Sequence, residues 1–169
     1  MNLLALEMPA SRFTGYDLSP GGIAAARRES EEKGLTNTTF EVVDLLEIDE
    51  AGRYDLITAF DVIHDQVKPA EVLRIVHRSL KPDGVFRMQD IHGSSHVEKN
   101  KDHPLGTILY TVSTMHCMTI SLAEGGAGLG TMWGEETAER MLLEAGFTSV
   151  TKQRLPRDPR NTYYVVRKN

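Results

Sequence analysis

Apolar residues along this chain fall into short runs that alternate between two spacings. Arg12 to Tyr16, Thr39 to Val43, Tyr54 to Phe60 and Val85 to Ile91 have the length and the β-branched or aromatic content of strands. Tyr54 to Phe60 is almost continuously apolar, the pattern expected of a parallel strand buried on both faces. Between the strands lie helical segments. Pro20 to Lys33 follows Ser19, a good N-cap, has proline at its first position and closes at Gly34. Pro69 to Leu80 sets Val72, Ile75, Val76, Ser79 and Leu80 on one side. Lys81-Pro-Asp-Gly84 then reads as a turn. Asn2 to Glu7, with Leu3, Leu4 and Leu6, reads as the tail of a helix stopped by Pro9.

The alternation breaks at about residues 92–132. Leu105 to Leu122 could form one or two apolar helices, and Glu124 to Gly130 is a glycine-rich loop. A helix from about Gly134 to Ala145, ended by Gly146, restores the pattern. Two strands close the chain, Phe147 to Arg154 and Thr162 to Arg167, near enough in sequence to form an antiparallel edge pair. Alternating strands and helices predict an α/β fold, a mostly parallel open sheet with helices on both faces. The chain is read as one domain, 1–169, carrying an insert over about 92–132.

Composition narrows the function classes. The chain has 169 residues, 40% hydrophobic and 25% charged, with a net charge of −5. That charge gives no reason to expect nucleic acid, which selects basic surfaces. No apolar run reaches the length of a membrane span. A single cysteine, Cys117, excludes an internal disulfide and fits a reducing cytoplasm; it reads as a small buried hydrophobe. His92, His96 and His103 with Asp90 and Asp102 match no compact ligand spacing, so no metal is expected.

The first strand carries the most chemistry. It ends in Asp17, just ahead of the helix opened by Ser19-Pro20. Ligands of open α/β sheets bind outside the carboxyl ends of the strands, where an acid can meet a ribose hydroxyl pair. A glycine-rich cofactor loop would normally precede such a strand, yet Met1 to Ser11 contain no glycine. The expectation is a nucleotide-cofactor domain lacking its first strand and loop.

The order of elements resembles the class I S-adenosylmethionine-dependent methyltransferases, from Phe13 to Arg167. Gly15-Tyr-Asp-Leu-Ser-Pro20, Phe40-Glu-Val-Val-Asp44, Tyr54-Asp-Leu-Ile-Thr-Ala-Phe60, Leu80-Lys-Pro-Asp-Gly84 and Glu144-Ala-Gly-Phe147 stand in the family's sequence. Ile63-His-Asp-Gln66 and the insert with Cys117 and Met132-Trp-Gly134 look more narrowly like a bacterial group with a winged-helix-like segment ahead of this domain. The resemblance implies a Rossmann-like sheet, S-adenosylmethionine as cofactor and a small-molecule acceptor, whose receiving atom, oxygen, nitrogen or carbon, is left open. It also implies that the chain begins downstream of the Gly-x-Gly-x-Gly loop, whose loss would weaken cofactor binding and expose sheet edges.

The resemblance assigns residues as follows. Asp17, with Leu18, would hold the ribose; the alternative for Asp17 is a partner to the helix N-terminus. Asp44 would accept from the adenine amino group with Leu45 against the ring; the alternative is a helix cap, since Glu47 follows. Phe60 and Asp61 would offer backbone carbonyls to the cofactor's amino group, though Phe60 could equally be core. His64 and Asp65 follow the strand facing the transferred methyl, and an imidazole near neutral pKa suits a general base; the alternative is a capping pair. His116 in the insert is a second candidate base or substrate contact, or a hydrogen-bonded core residue. A competing expectation is a catalytically inactive remnant that binds a partner or forms a homo-oligomer through an open sheet edge.

Overall fold

The computed structural model describes residues 1–169, which form two compact units, Met1–Ile48 and Asp49–Asn169. The first contains helix α1 (Asn2–Glu7), strand β1 (Phe13–Asp17), helix α2 (Pro20–Glu32) and strand β2 (Thr38–Val42). Strands β1 and β2 are parallel, with Gly15 opposite Phe40 and Asp17 opposite Val42. Ser19 Oγ accepts from the Gly22 N–H, as an N-cap should. At the other end Gly34, at φ +64°, donates to Glu31 O while Leu35 donates to Ser30 O. That pair of bonds is the glycine-dependent helix stop foreseen from the sequence.

Ile23, Phe40 and Ala5 form the small core of this unit. Helix α1 does not bury its leucines: Asn2 and Ala5 are buried, whereas Leu3, Leu4 and Leu6 are exposed. Asn2 anchors the helix by donating to Ala26 O and to Glu29 Oε2, and Asn37 holds its far end by donating to Ala5 O and Ser11 O.

The second unit contains β3 (Tyr54–Phe60), α3 (Pro69–Ser79), β4 (Leu80–Ile91), α4 (Gly106–Val112), α5 (Met118–Ala123), α6 (Glu135–Glu144), β5 (Ser149–Leu155) and β6 (Asp158–Arg167). Its sheet has the order β3-β4-β6-β5. Strands β3 and β4 are parallel; β6 runs antiparallel to both β4 and β5, giving the expected antiparallel C-terminal edge. Phe86, Met88, Tyr164 and Val166 on the sheet meet Leu73 of α3 and Leu142 of α6 in a core closed to solvent. Gly146, at φ +106°, ends α6 through its bond to Leu143 O. Its missing side chain leaves room for His77, whose ring lies edge-on to Phe147.

Three expectations change. Lys81–Gly84 is not a separate turn: it bulges out of β4 between Leu80, opposite Tyr54, and Val85, opposite Leu56. β3 is not buried on both faces. It pairs with β4 alone, and Leu56 and Phe60 are 52% and 53% exposed. Likewise β1 pairs with β2 alone, so the strands belong to two separate sheets, each with an unpaired edge.

Candidate functional site

β3 ends at Phe60, and the chain turns there through Asp61, the one non-glycine residue with positive φ (51°). Aspartate tolerates this left-handed conformation better than most residues. The Asp61 N–H donates to Gln89 O and its Oδ1 accepts from Gln89 Nε2 at 3.0 Å, so the turn is tied to the end of β4. Desolvation at the strand end raises the Asp61 pKa; the Gln89 bond opposes the shift and the Asp90 charge adds to it. A single helical turn follows, Ile63–Asp65, pinned by buried Ile63.

This turn delivers His64 to Asp90. His64 is 3% exposed and Asp90 is wholly buried at the end of β4. His64 Nδ1 lies 2.8 Å from Asp90 Oδ1, which also accepts from the Ile91 N–H. A carboxylate can only accept, so Nδ1 carries a proton, and the ring in its neutral form presents its lone pair at Nε2. Burial pushes the His64 pKa down. The bond to Asp90 and the charges of Asp90, Asp65 and Asp61 outweigh it and leave the value above 6.5. Asp65 Oδ1 lies 3.4 Å from His64 Nε2, too far for a bond of normal strength, and is itself buried without a hydrogen-bond partner.

The insert packs onto this turn. Ser121 Oγ donates to Gln66 O, and the Ala127 N–H donates to Val67 O. Between α4 and α5 the helix continues through a π turn, Ser113–Cys117. Wide turns of this kind recur at functional sites. This one points Cys117 inward, with Sγ 2.9 Å from Thr131 Oγ1. Burial raises the Cys117 pKa. His116, its neighbour, faces solvent and is no member of the buried cluster. Trp133 is buried, and its carbonyl accepts from Ser95 Oγ, tying the end of the insert to its start.

In the first unit Asp17 ends β1 and Asp44 follows β2, its parallel neighbour, and a bond from the Val43 N–H to Asp17 O holds the two strand ends in step. Asp17 Oδ1 accepts from the Ser19 N–H at 2.7 Å, and Asp44 Oδ1 accepts from the Leu46 N–H at 2.9 Å. Asp44 therefore performs the helix-capping role weighed as its alternative, whereas Asp17 bonds the N-cap residue Ser19 ahead of α2, each with one carboxylate oxygen. Leu18 beside Asp17 is 63% exposed, and Leu45 opens the short helical turn capped by Asp44.

Sequence reasoning found His64 and Asp65 but gave Asp90 no part in the site. The available signal was an acid near the carboxyl end of β4, the strand that parallels β3. Cys117 was read correctly as buried, without its neighbours Asp65 and His64.

A family model described as a methyltransferase domain matches residues 1–146. The chain is 29% identical over 93 residues to a ubiquinone biosynthesis O-methyltransferase of Actinobacillus pleuropneumoniae, covering 52% of this chain and 40% of that protein. Among solved structures it resembles an O-methyltransferase family protein from Burkholderia thailandensis at TM-score 0.73 and 18% identity, over 99% of this chain and 47% of that one. The trans-methyltransferase CalH, solved with SAH, matches at TM-score 0.63 and 23% identity over 92% and 41% of the two chains. The chain thus spans less than half the length of these relatives. No helix is long and apolar enough to cross a membrane.

Proposed function

The chain belongs to the class I S-adenosylmethionine-dependent methyltransferases, and on that premise we propose that it methylates a hydroxyl group of a small molecule. The observation that carries the reading is the buried His64–Asp90 pair, a base with its lone pair at Nε2 and its other nitrogen fixed. A hydroxyl is a poor nucleophile until its proton begins to leave, so an oxygen acceptor needs such a base more than an amine does. The O-methyltransferase names of the relatives point the same way.

S-adenosylmethionine, when bound, supplies a methyl group on a positively charged sulfur, open to in-line displacement. The residues of the first unit fit its adenosine part. Asp17 and Asp44 each spend one oxygen on the backbone and keep the other for ribose hydroxyls and the adenine amino group, with Leu18 and Leu45 as apolar neighbours. By the family resemblance, Phe60 and Asp61 at the β3 terminus would offer backbone carbonyls to the cofactor's amino group. His64 Nε2 takes the hydroxyl proton, and Asp90 stabilises the imidazolium that results while keeping the ring from rotating. Asp65 contributes negative charge beside the same nitrogen.

The test is incubation of the protein with methyl-labelled cofactor and a set of phenols, with products separated by chromatography. Label on a phenolic oxygen is expected. Label confined to nitrogen or carbon acceptors, or no transfer to any acceptor, would overturn the reading.

A further inference from the structure

The His64 ring, the Asp65 carboxylate and Cys117 Sγ converge from two segments remote in sequence, each offering one ligand atom within 4.8 Å of the others, and His64 Nε2 lies 3.4 Å from Asp65 Oδ1. His64 and Cys117 are buried, and the Asp65 oxygen is buried without a hydrogen bond. We propose that these three side chains form a binding site for a zinc-type divalent cation. Cation binding at this site does not depend on methyl transfer; its inhibitory effect rests on the function proposed above.

The donor set selects the metal. Thiolate, imidazole and carboxylate together suit zinc and its transition-metal neighbours, whereas magnesium and calcium require oxygen cages. Ligand–metal distances of about 2.0–2.3 Å need only a small contraction of the cluster. The surroundings are those of a metal site. Asp90 accepts the Nδ1 proton of His64 at 2.8 Å, the carboxylate–histidine arrangement that orients a ligating imidazole and raises its basicity. Thr131 Oγ1, 2.9 Å from Cys117 Sγ, can donate to a thiolate. No Lys or Arg side chain pairs with Asp65, His64 or Cys117, so no protein cation already fills the place. Binding releases the thiol proton to solvent and leaves the Nδ1 proton on its bond to Asp90. Three protein ligands leave a fourth, tetrahedral position for water.

A cation here occupies the nitrogen that would otherwise take a proton from an acceptor. Metal and acceptor proton are alternative occupants of Nε2, and zinc is expected to act as an inhibitor rather than a cofactor.

The decisive experiment is titration of the metal-free, reduced protein with cobalt(II), followed by absorption, with zinc added afterwards as competitor. One equivalent should bind, with an intense near-ultraviolet thiolate-to-cobalt band that zinc abolishes and magnesium does not. Cys117→Ser should remove the band. Asp65→Asn, whose side chain is 40% exposed and tolerates replacement, should weaken cobalt binding at least tenfold. Absence of the band, its survival in Cys117→Ser, or unchanged affinity in Asp65→Asn would each overturn the site.

Discussion

The Nδ1 proton of His64 has a buried acceptor at 2.8 Å, Asp90 Oδ1, and that single bond decides which ring nitrogen is free to react. Asp90→Asn removes the charge and lets the amide donate instead, which favours the wrong tautomer. Its expected effect is a lower turnover with little change in KM for the cofactor, bounded by the roughly 10²–10⁴-fold that a general base contributes. Steady-state kinetics with both substrates varied provide the check; a raised KM with normal kcat would make Asp90 a structural residue only. His116→Ala should leave the chemical step intact, because His116 faces solvent outside the buried cluster. Legibility at this scale was uneven. His64 stood out because an imidazole followed a strand end. Asp90 did not, because its meaning depends on the parallel pairing of β3 with β4, which brings residues 61 and 64 beside residues 89 and 90.

Among the elements, α6 owes its position to a partly buried acid as much as to its apolar face. Glu135, in the first turn, accepts from Thr162 Oγ1 at 2.6 Å on β6 and lies 2.8 Å from His92 Nδ1 and 3.0 Å from Arg154 Nη2. Burial raises its pKa, but the bonds from Thr162 and His92 and the Arg154 charge outweigh that and hold it below 4.5. A carboxyl with a depressed folded pKa stabilises the fold above its unfolded pKa and loses that contribution as pH falls through the folded value. Glu135→Gln should therefore lower the urea midpoint at pH 7, and the gap to wild type should narrow steadily below pH 4.5. A gap independent of pH would show that Glu135 acts through shape rather than charge. Helix boundaries were legible because their stops are chemical: Ser19, Gly34 and Gly146 all act as read. The π turn at Ser113–Cys117 was not, since an apolar helix and an apolar helix with one widened turn share the same residue pattern.

For the molecule as a whole, the α/β order and the antiparallel end of the sheet followed from periodicity and from the short link between the last two strands. The separation into two sheets was not read from the sequence, which predicts one open sheet, and neither was the exposure of β3, which looks like a strand with two buried faces. An open edge with exposed Leu56 and Phe60 is a template for pairing with another chain. Sedimentation velocity should show mass rising with protein concentration, and Leu56→Lys should suppress it. A monomer at every concentration would remove β3 as an association surface.

The central claim is that His64, held by Asp90, is the base for transfer of a methyl group to a hydroxyl. Single-turnover transfer from labelled S-adenosylmethionine, compared between wild type and His64→Ala, tests it most directly. The account predicts a rate lower by roughly 10²–10⁴-fold in the variant, with cofactor affinity nearly unchanged. Equal rates in the two proteins, at equal cofactor affinity, would contradict it.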